Sequence, residues 1–102
     1  LILFGTTAWA QDISKLKAEH IIQASKYEAL IKEQDNVIEE HSKTKNEFRK
    51  KYWINDKLSP KSKIKEMETH CDKIIANAKS QKANFVMMAE MHNSLAKELD
   101  KK

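Results

Sequence analysis

Glycine occurs once in the 102 residues, at Gly5, and proline once, at Pro60. Beyond residue 10 the chain therefore has no glycine to supply the φ > 0 turns on which sheets, phosphate-cradling loops and most catalytic loops depend. That depletion points to helix nearly throughout. Cysteine also occurs once, at Cys71, so there is no CxxC motif, and no HExxH is present. A single cysteine is either buried as a small apolar residue or free to bridge two chains, and its position on an apolar stripe predicts burial. Long apolar runs are missing too: the uncharged stretch Leu1 to Ala10 is too short to span a bilayer as a helix.

What is present is charge interleaved with apolar side chains. Charged residues make up 33% and hydrophobic ones 40%, too apolar for a disordered tail and too polar for a membrane protein. A chain of this length is one small domain with a thin core, and association of copies would stabilise it.

The first ten residues read as a separate piece. They end in Ala8-Trp9-Ala10, an A-x-A cleavage pattern followed by polar Gln11-Asp12, as at the end of a secretory signal peptide. The chain begins at Leu1 rather than Met, with no basic stretch ahead of the apolar one, which reads as a shortened precursor. The expectation is a signal-peptide remnant over 1–10 and a mature domain over 11–102, periplasmic or secreted. The plainer alternative is an apolar segment that packs on the core.

Within the domain, Ser59 can cap a helix and Pro60 sits where its missing N–H costs nothing. From there Ile64, Met67, Cys71, Ile74, Ala78, Gln81, Phe85, Met88, His92, Leu95 and Leu99 alternate by three and four, a heptad seam. The earlier segment offers Ile13, His20, Ala24, Tyr27, Ile31, Gln34, Ile38, His41, Phe48 and Tyr52, with Asp12 as a cap. The spacing predicts a helix over about 13–52, a turn over about 53–59 and a helix over about 60–101. The fold class is all-α, a long antiparallel two-helix hairpin of coiled-coil character. Facing residue numbers should sum to about 112, so that Tyr27 meets Phe85 and Ile38 meets Ile74. Ile22, Ala29 and Val37, and Ile75, Val86 and Met91, would flank the seams and stay exposed in a lone hairpin, which predicts a homo-oligomer, a dimer or a larger bundle.

Two constellations carry chemistry. Between Lys43 and Lys65 lie nine basic residues against Glu47 and Asp56, a net +7 where the whole chain has +4. Arg49, Lys50, Lys51, Tyr52, Trp53, Lys57, Lys61 and Lys63 combine cations with aromatic rings, which suits an acidic protein or an anionic envelope surface; export argues against nucleic acid. The plain alternative is a solvated, lysine-rich helix end. The second constellation is a soft-metal set. The register places His20 opposite His92, one turn from Met88, and His41 opposite Cys71; imidazole, thioether and thiolate suit copper or zinc. Against it, methionine at helical spacing is commonly core filler and a seam histidine a tolerated polar interruption.

Leu58-Ser59-Pro60-Lys61-Ser62 resembles, over five residues and without its Gln, the LTPxQ helix start of small periplasmic stress and metal-sensing helical proteins. Ser-Pro has its own capping explanation, so no family is assigned. Basic-tipped hairpins in periplasmic holdase chaperones are an architectural analogy. Catalysis is not expected, because a glycine-free hairpin offers neither loops nor a water-excluding pocket. The functional expectation is an exported, holdase-like or envelope-docking interaction protein without cofactor; the alternative is a periplasmic copper- or zinc-binding or sensing protein.

Overall fold

The computed structural model describes the backbone of residues 2–53 and 61–101, and the side chains of residues 11–51 and 63–101. Two helices make up the described chain: α1, Ile2–Trp53, and α2, Lys61–Asp100. They form an antiparallel hairpin, and no described residue is in a strand. No described residue has a positive φ, as expected for a chain with a single glycine.

The predicted ends of the helices hold within a residue or two except at the start. α1 begins at Ile2 rather than near residue 13, so Asp12 lies inside the helix and does not cap it. Ala8, Ala10, Leu3 and Gln11 are good helix formers, and one interior glycine costs only about 1 kcal/mol relative to alanine. Lys50 and Lys51 stand in the last turn of α1, where cations suit the negative end of the dipole. The Ser59–Pro60 cap and the Asn55–Asp56 turn lie outside the described residues. At its other end α2 closes with Lys101 N–H donating to the Glu98 carbonyl at 3.2 Å.

The chain divides into two compact units. One combines Leu1–Ile31 with Asn84–Lys102; the other is Lys32–Ala83. In the first, Tyr27 meets Phe85 with ring centroids 6.0 Å apart, and His20 meets His92, so both pairs fall on the predicted sum of 112. The buried or half-buried rows there are Ile13, Lys17, His20, Ala24, Tyr27 and Ile31 on α1, and Phe85, Ala89, His92, Ala96 and Leu99 on α2. In the second unit they are Gln34, Ile38, His41, Lys45 and Phe48 against Ile64, Glu68, Cys71, Ile75, Ala78 and Lys82.

These rows confirm the α1 seam and correct the α2 seam. Met67, Gln81 and Leu95, expected inside, are exposed, Leu95 by 45%. Their places are taken by Glu68, Lys82 and Ala96, one residue further along, while Ile75 and Ala89 join Ile74 and Met88, which stay half-buried as expected. At Ala96 the physical reason is side-chain size, since alanine at the contact lets two helices approach closely; at Glu68 and Lys82 it is the ion pair that each makes with the other helix. Of the residues expected to flank the seams, Ile22, Ala29 and Met91 are exposed, whereas Val37, Ile75 and Val86 are half-buried. Among the described residues, the buried apolar ones are Ala24, Cys71, Ala78, Ala89 and Ala96. All five are small.

Ion pairs seal one flank of the seam in each unit. Lys17 pairs with Asp100 in the first; in the second, Lys82 pairs with Asp35 at 2.7 Å, Lys45 with Asp72 at 2.7 Å and Arg49 with Glu68 at 2.5 Å. Each pair joins a half-buried seam residue, Lys17, Lys82, Lys45 or Glu68, to a residue one position past a seam residue on the other helix. The long stems cover apolar surface while the charged heads reach the rim. Because the charged heads stay at the solvent-screened rim, each pair contributes little to stability.

Candidate functional site

The basic segment of the second unit begins on the last turns of α1 and resumes on α2. Helical periodicity turns Lys43 and Lys50 away from the seam, and both are exposed, as are Lys63 and Lys65 on α2. None of these four has an ion pair among the described residues. Arg49 is different. Its Nε and Nη2 groups donate to the two carboxylate oxygens of Glu68, at 2.5 and 3.3 Å. That bidentate hydrogen bond, reinforced by charge, holds the Glu68 carboxyl below its ordinary pKa and raises that of Arg49. Lys45 Nζ likewise donates to Asp72 at 2.7 Å. Part of the cationic character read from the sequence is therefore neutralised within the fold. Lys51 is exposed. Lys57 and the side chains of Tyr52, Trp53 and Lys61 lie outside the described residues.

One turn along α2 from this segment, Lys65, Glu66, Thr69, His70 and Lys73 line an open groove of about 490 Å³. Two lysines, a histidine and a hydroxyl against one carboxylate can receive an anionic group through charge and hydrogen bonding together. The signal for it in the sequence is the i, i+4 spacing of Lys65, Thr69 and Lys73 on one helix face.

The first unit holds the histidine pair. His20 Nδ1 and His92 Nδ1 lie 2.9 Å apart in a part-buried setting, which requires one ring to donate and the other to accept. The Tyr27 ring stacks on His92, centroids 5.8 Å apart and nearly parallel, and fixes its plane; Tyr27 was expected only as a packing residue. Met88, half-buried, precedes His92 by one turn. In the second unit His41 and Cys71 occupy seam positions on α1 and α2. Cys71 is free and buried, as its position on the stripe predicts, and His41 Nδ1 is buried with no hydrogen-bond partner among the described residues. No group of three or more His, Cys, Asp or Glu side chains able to hold a metal is found among the described residues.

On the outer face of α2 in the first unit, Met87, Glu90, Met91, Ser94 and Leu95 line a second open groove, of about 450 Å³. No helix among the described residues is long and apolar enough to cross a membrane. Comparison with known protein-family models, with curated proteins and with solved structures finds no match.

Proposed function

We propose that the chain is an exported helical binding protein that docks, through the lysines of its second unit, onto an acidic protein or an anionic envelope surface. One observation carries this reading. After Arg49 and Lys45 have been taken up by Glu68 and Asp72, Lys43, Lys50, Lys63 and Lys65 remain exposed and unpaired among the described residues. Cations that the fold does not use, in a segment of net +7, are available to attract an opposite charge and accelerate encounter. The groove between Lys65 and Lys73 adds a place for a carboxylate or phosphate to settle. Export rests on the Ala8-Trp9-Ala10 pattern. Binding is favoured over catalysis because both grooves are open and each is lined from a single helix, whereas an active site needs groups that converge in a sheltered cavity.

The test is co-sedimentation with vesicles of anionic and of purely zwitterionic lipid, alongside an acidic protein as second probe, at low and high salt. Anionic partners should be bound at low salt and released as salt is raised, and the set Lys50→Glu, Lys63→Glu, Lys65→Glu should abolish the binding. Equal retention by zwitterionic vesicles, or a triple variant that binds as well as the parent, would reject it.

The His20–His92 approach favours a second reading, soft-metal binding. Two imidazole nitrogens at 2.9 Å need to part by only a few tenths of an ångström to accept a Zn²⁺ or Cu⁺ ion at the usual metal–nitrogen length of about 2.0–2.1 Å. Met88 is a candidate third ligand, and His41 with Cys71 a separate pair. Calorimetric titration of zinc and of copper under reducing conditions, with His92→Ala as control, checks it; no affinity tighter than micromolar would reject it.

A further inference from the structure

Two imidazoles that face each other across a seam need a further donor before they hold an ion well, and the type of that donor selects the ion. His20 and His92, one on each helix of the first unit, have Nδ1 atoms 2.9 Å apart and ring centroids 5.2 Å apart. Among the described residues no third His, Cys, Asp or Glu completes a metal-holding group with them. Three or four positions from either histidine the helices offer alanines, leucines, Lys17, Gln23 and Met88. Lys17 is held by Asp100 and Gln23 is exposed, which leaves the thioether of half-buried Met88. Its i, i+4 spacing sets it on the same face of α2 as His92. In the register set by His20 and His92, Met88 stands opposite Ala24, which is 2% exposed. A methyl group is all that α1 presents there, so the flexible methionine arm has room to turn toward the pair. Tyr27, whose ring lies 16° from the plane of His92, holds that imidazole in place.

We propose that this is a site for monovalent copper rather than zinc, with His20 Nδ1, His92 Nδ1 and the Met88 sulfur as its three donors. The inference rests on the soft-metal reading above and narrows it to one ion. Structural zinc takes four ligands and draws them from thiolates, imidazoles and carboxylates; here no thiolate or carboxylate joins the pair among the described residues. All three donors are neutral, so a divalent ion would enter a part-buried place with its charge uncompensated. The cost of desolvating an ion grows with the square of its charge, so Cu⁺ meets a much smaller penalty. Thioether sulfur is a soft ligand that favours Cu⁺. Binding needs no net proton release: the ring that donates its Nδ1 hydrogen in the resting pair carries it on Nε2 instead, which frees both lone pairs. The ion then ties α1 to α2 where a single hydrogen bond did before.

Anaerobic titration of Cu⁺ and of Zn²⁺ into the full chain tests it, with Cu⁺ affinity read by competition against a chromophoric chelator. A Cys71→Ala background removes the chain's one thiol. One Cu⁺ per chain should bind, at least about a hundredfold more tightly than zinc. Met88→Leu should weaken Cu⁺ at least about tenfold and leave zinc unchanged. His20→Leu with His92→Leu should abolish Cu⁺ binding with helical circular dichroism unchanged. X-ray absorption of the loaded chain should show two nitrogen neighbours and one sulfur at the copper, and Cu⁺ should raise the melting midpoint of the parent but not of the double variant. Zinc bound as tightly as Cu⁺, or Cu⁺ binding indifferent to Met88→Leu, overturns the proposal and leaves the soft-metal reading standing. Neither ion bound more tightly than micromolar overturns both, and copper retained by the double histidine variant overturns the site.

Discussion

His20 and His92 present the same atom, Nδ1, to each other at 2.9 Å across the seam. Such a contact is satisfied only when one ring carries the bridging proton and the other does not. His20→Ala should therefore destabilise the hairpin by about 1–2 kcal/mol, because it strands the His92 nitrogen in a part-buried place. The double variant His20→Leu, His92→Leu should recover most of that loss. A double-mutant cycle in urea checks it, and simple additivity of the two single changes would contradict the contact.

His41 makes the opposite case. Its Nδ1 is buried and unpartnered among the described residues, and an orphaned polar atom costs about 1–3 kcal/mol. His41→Leu, close in volume and free of that atom, should raise stability by about 1 kcal/mol. The urea midpoint should move up with an unchanged slope; a fall would mean that the nitrogen has a partner that the change removes.

The Arg49–Glu68 pair sets an acid-side response. Glu68 has a folded pKa below its ordinary value of 4.5, so its contribution is present above that value and disappears as pH falls through the depressed one. Arg49, raised further above its ordinary value by the same hydrogen bond, keeps its charge across this window and adds no slope of its own. Melting temperature measured against pH should decline below about 4.5 in the parent and decline less in Glu68→Gln. Added salt should shrink the difference, because the pair is exposed.

Leu95 and Ala96 are adjacent, yet the fold assigns them opposite environments, 45% and 5% exposed. At protein concentrations low enough to keep the chain monomeric, Ala96→Leu should cost about 1–3 kcal/mol by overpacking. Leu95→Ser should stay within about 0.5 kcal/mol there. Chemical denaturation of the two variants side by side distinguishes this seam from one that runs through Leu95; the reverse ranking would restore the other.

The same pair of residues shows where the sequence is legible. On α1, Ile13, Tyr27, Ile31, Ile38 and Phe48 are bulky and stand on the buried rows, so apolar periodicity alone reads that stripe. On α2 Ile64, Phe85 and Leu99 stand on the buried row as the heptad spacing predicts, but Met67 and Leu95, which the same spacing puts inside, are exposed. What decides is close approach at Cys71, Ala78, Ala89 and Ala96, together with Lys17, Lys45, Glu68 and Lys82, whose stems are covered while their heads pair. A pattern that scores lysine as polar cannot see a covered lysine stem. The histidine pair was legible because its register depends on the α1 stripe and on Phe85 and His92, which both readings share. Neutralisation of Arg49 was not, because Glu68 joins the seam only once the α2 stripe is turned.

That the buried positions of the seam, among the described residues, are alanines and one cysteine while its larger side chains are only half-buried has a calorimetric consequence. Alanine freezes no rotamer on burial, and small side chains withdraw little hydrocarbon from water. Unfolding of the lone hairpin should therefore carry a low enthalpy and a small heat-capacity increment for its length, and so a broad, shallow melt. Any sharpening of that melt as the protein is concentrated measures what a second surface adds.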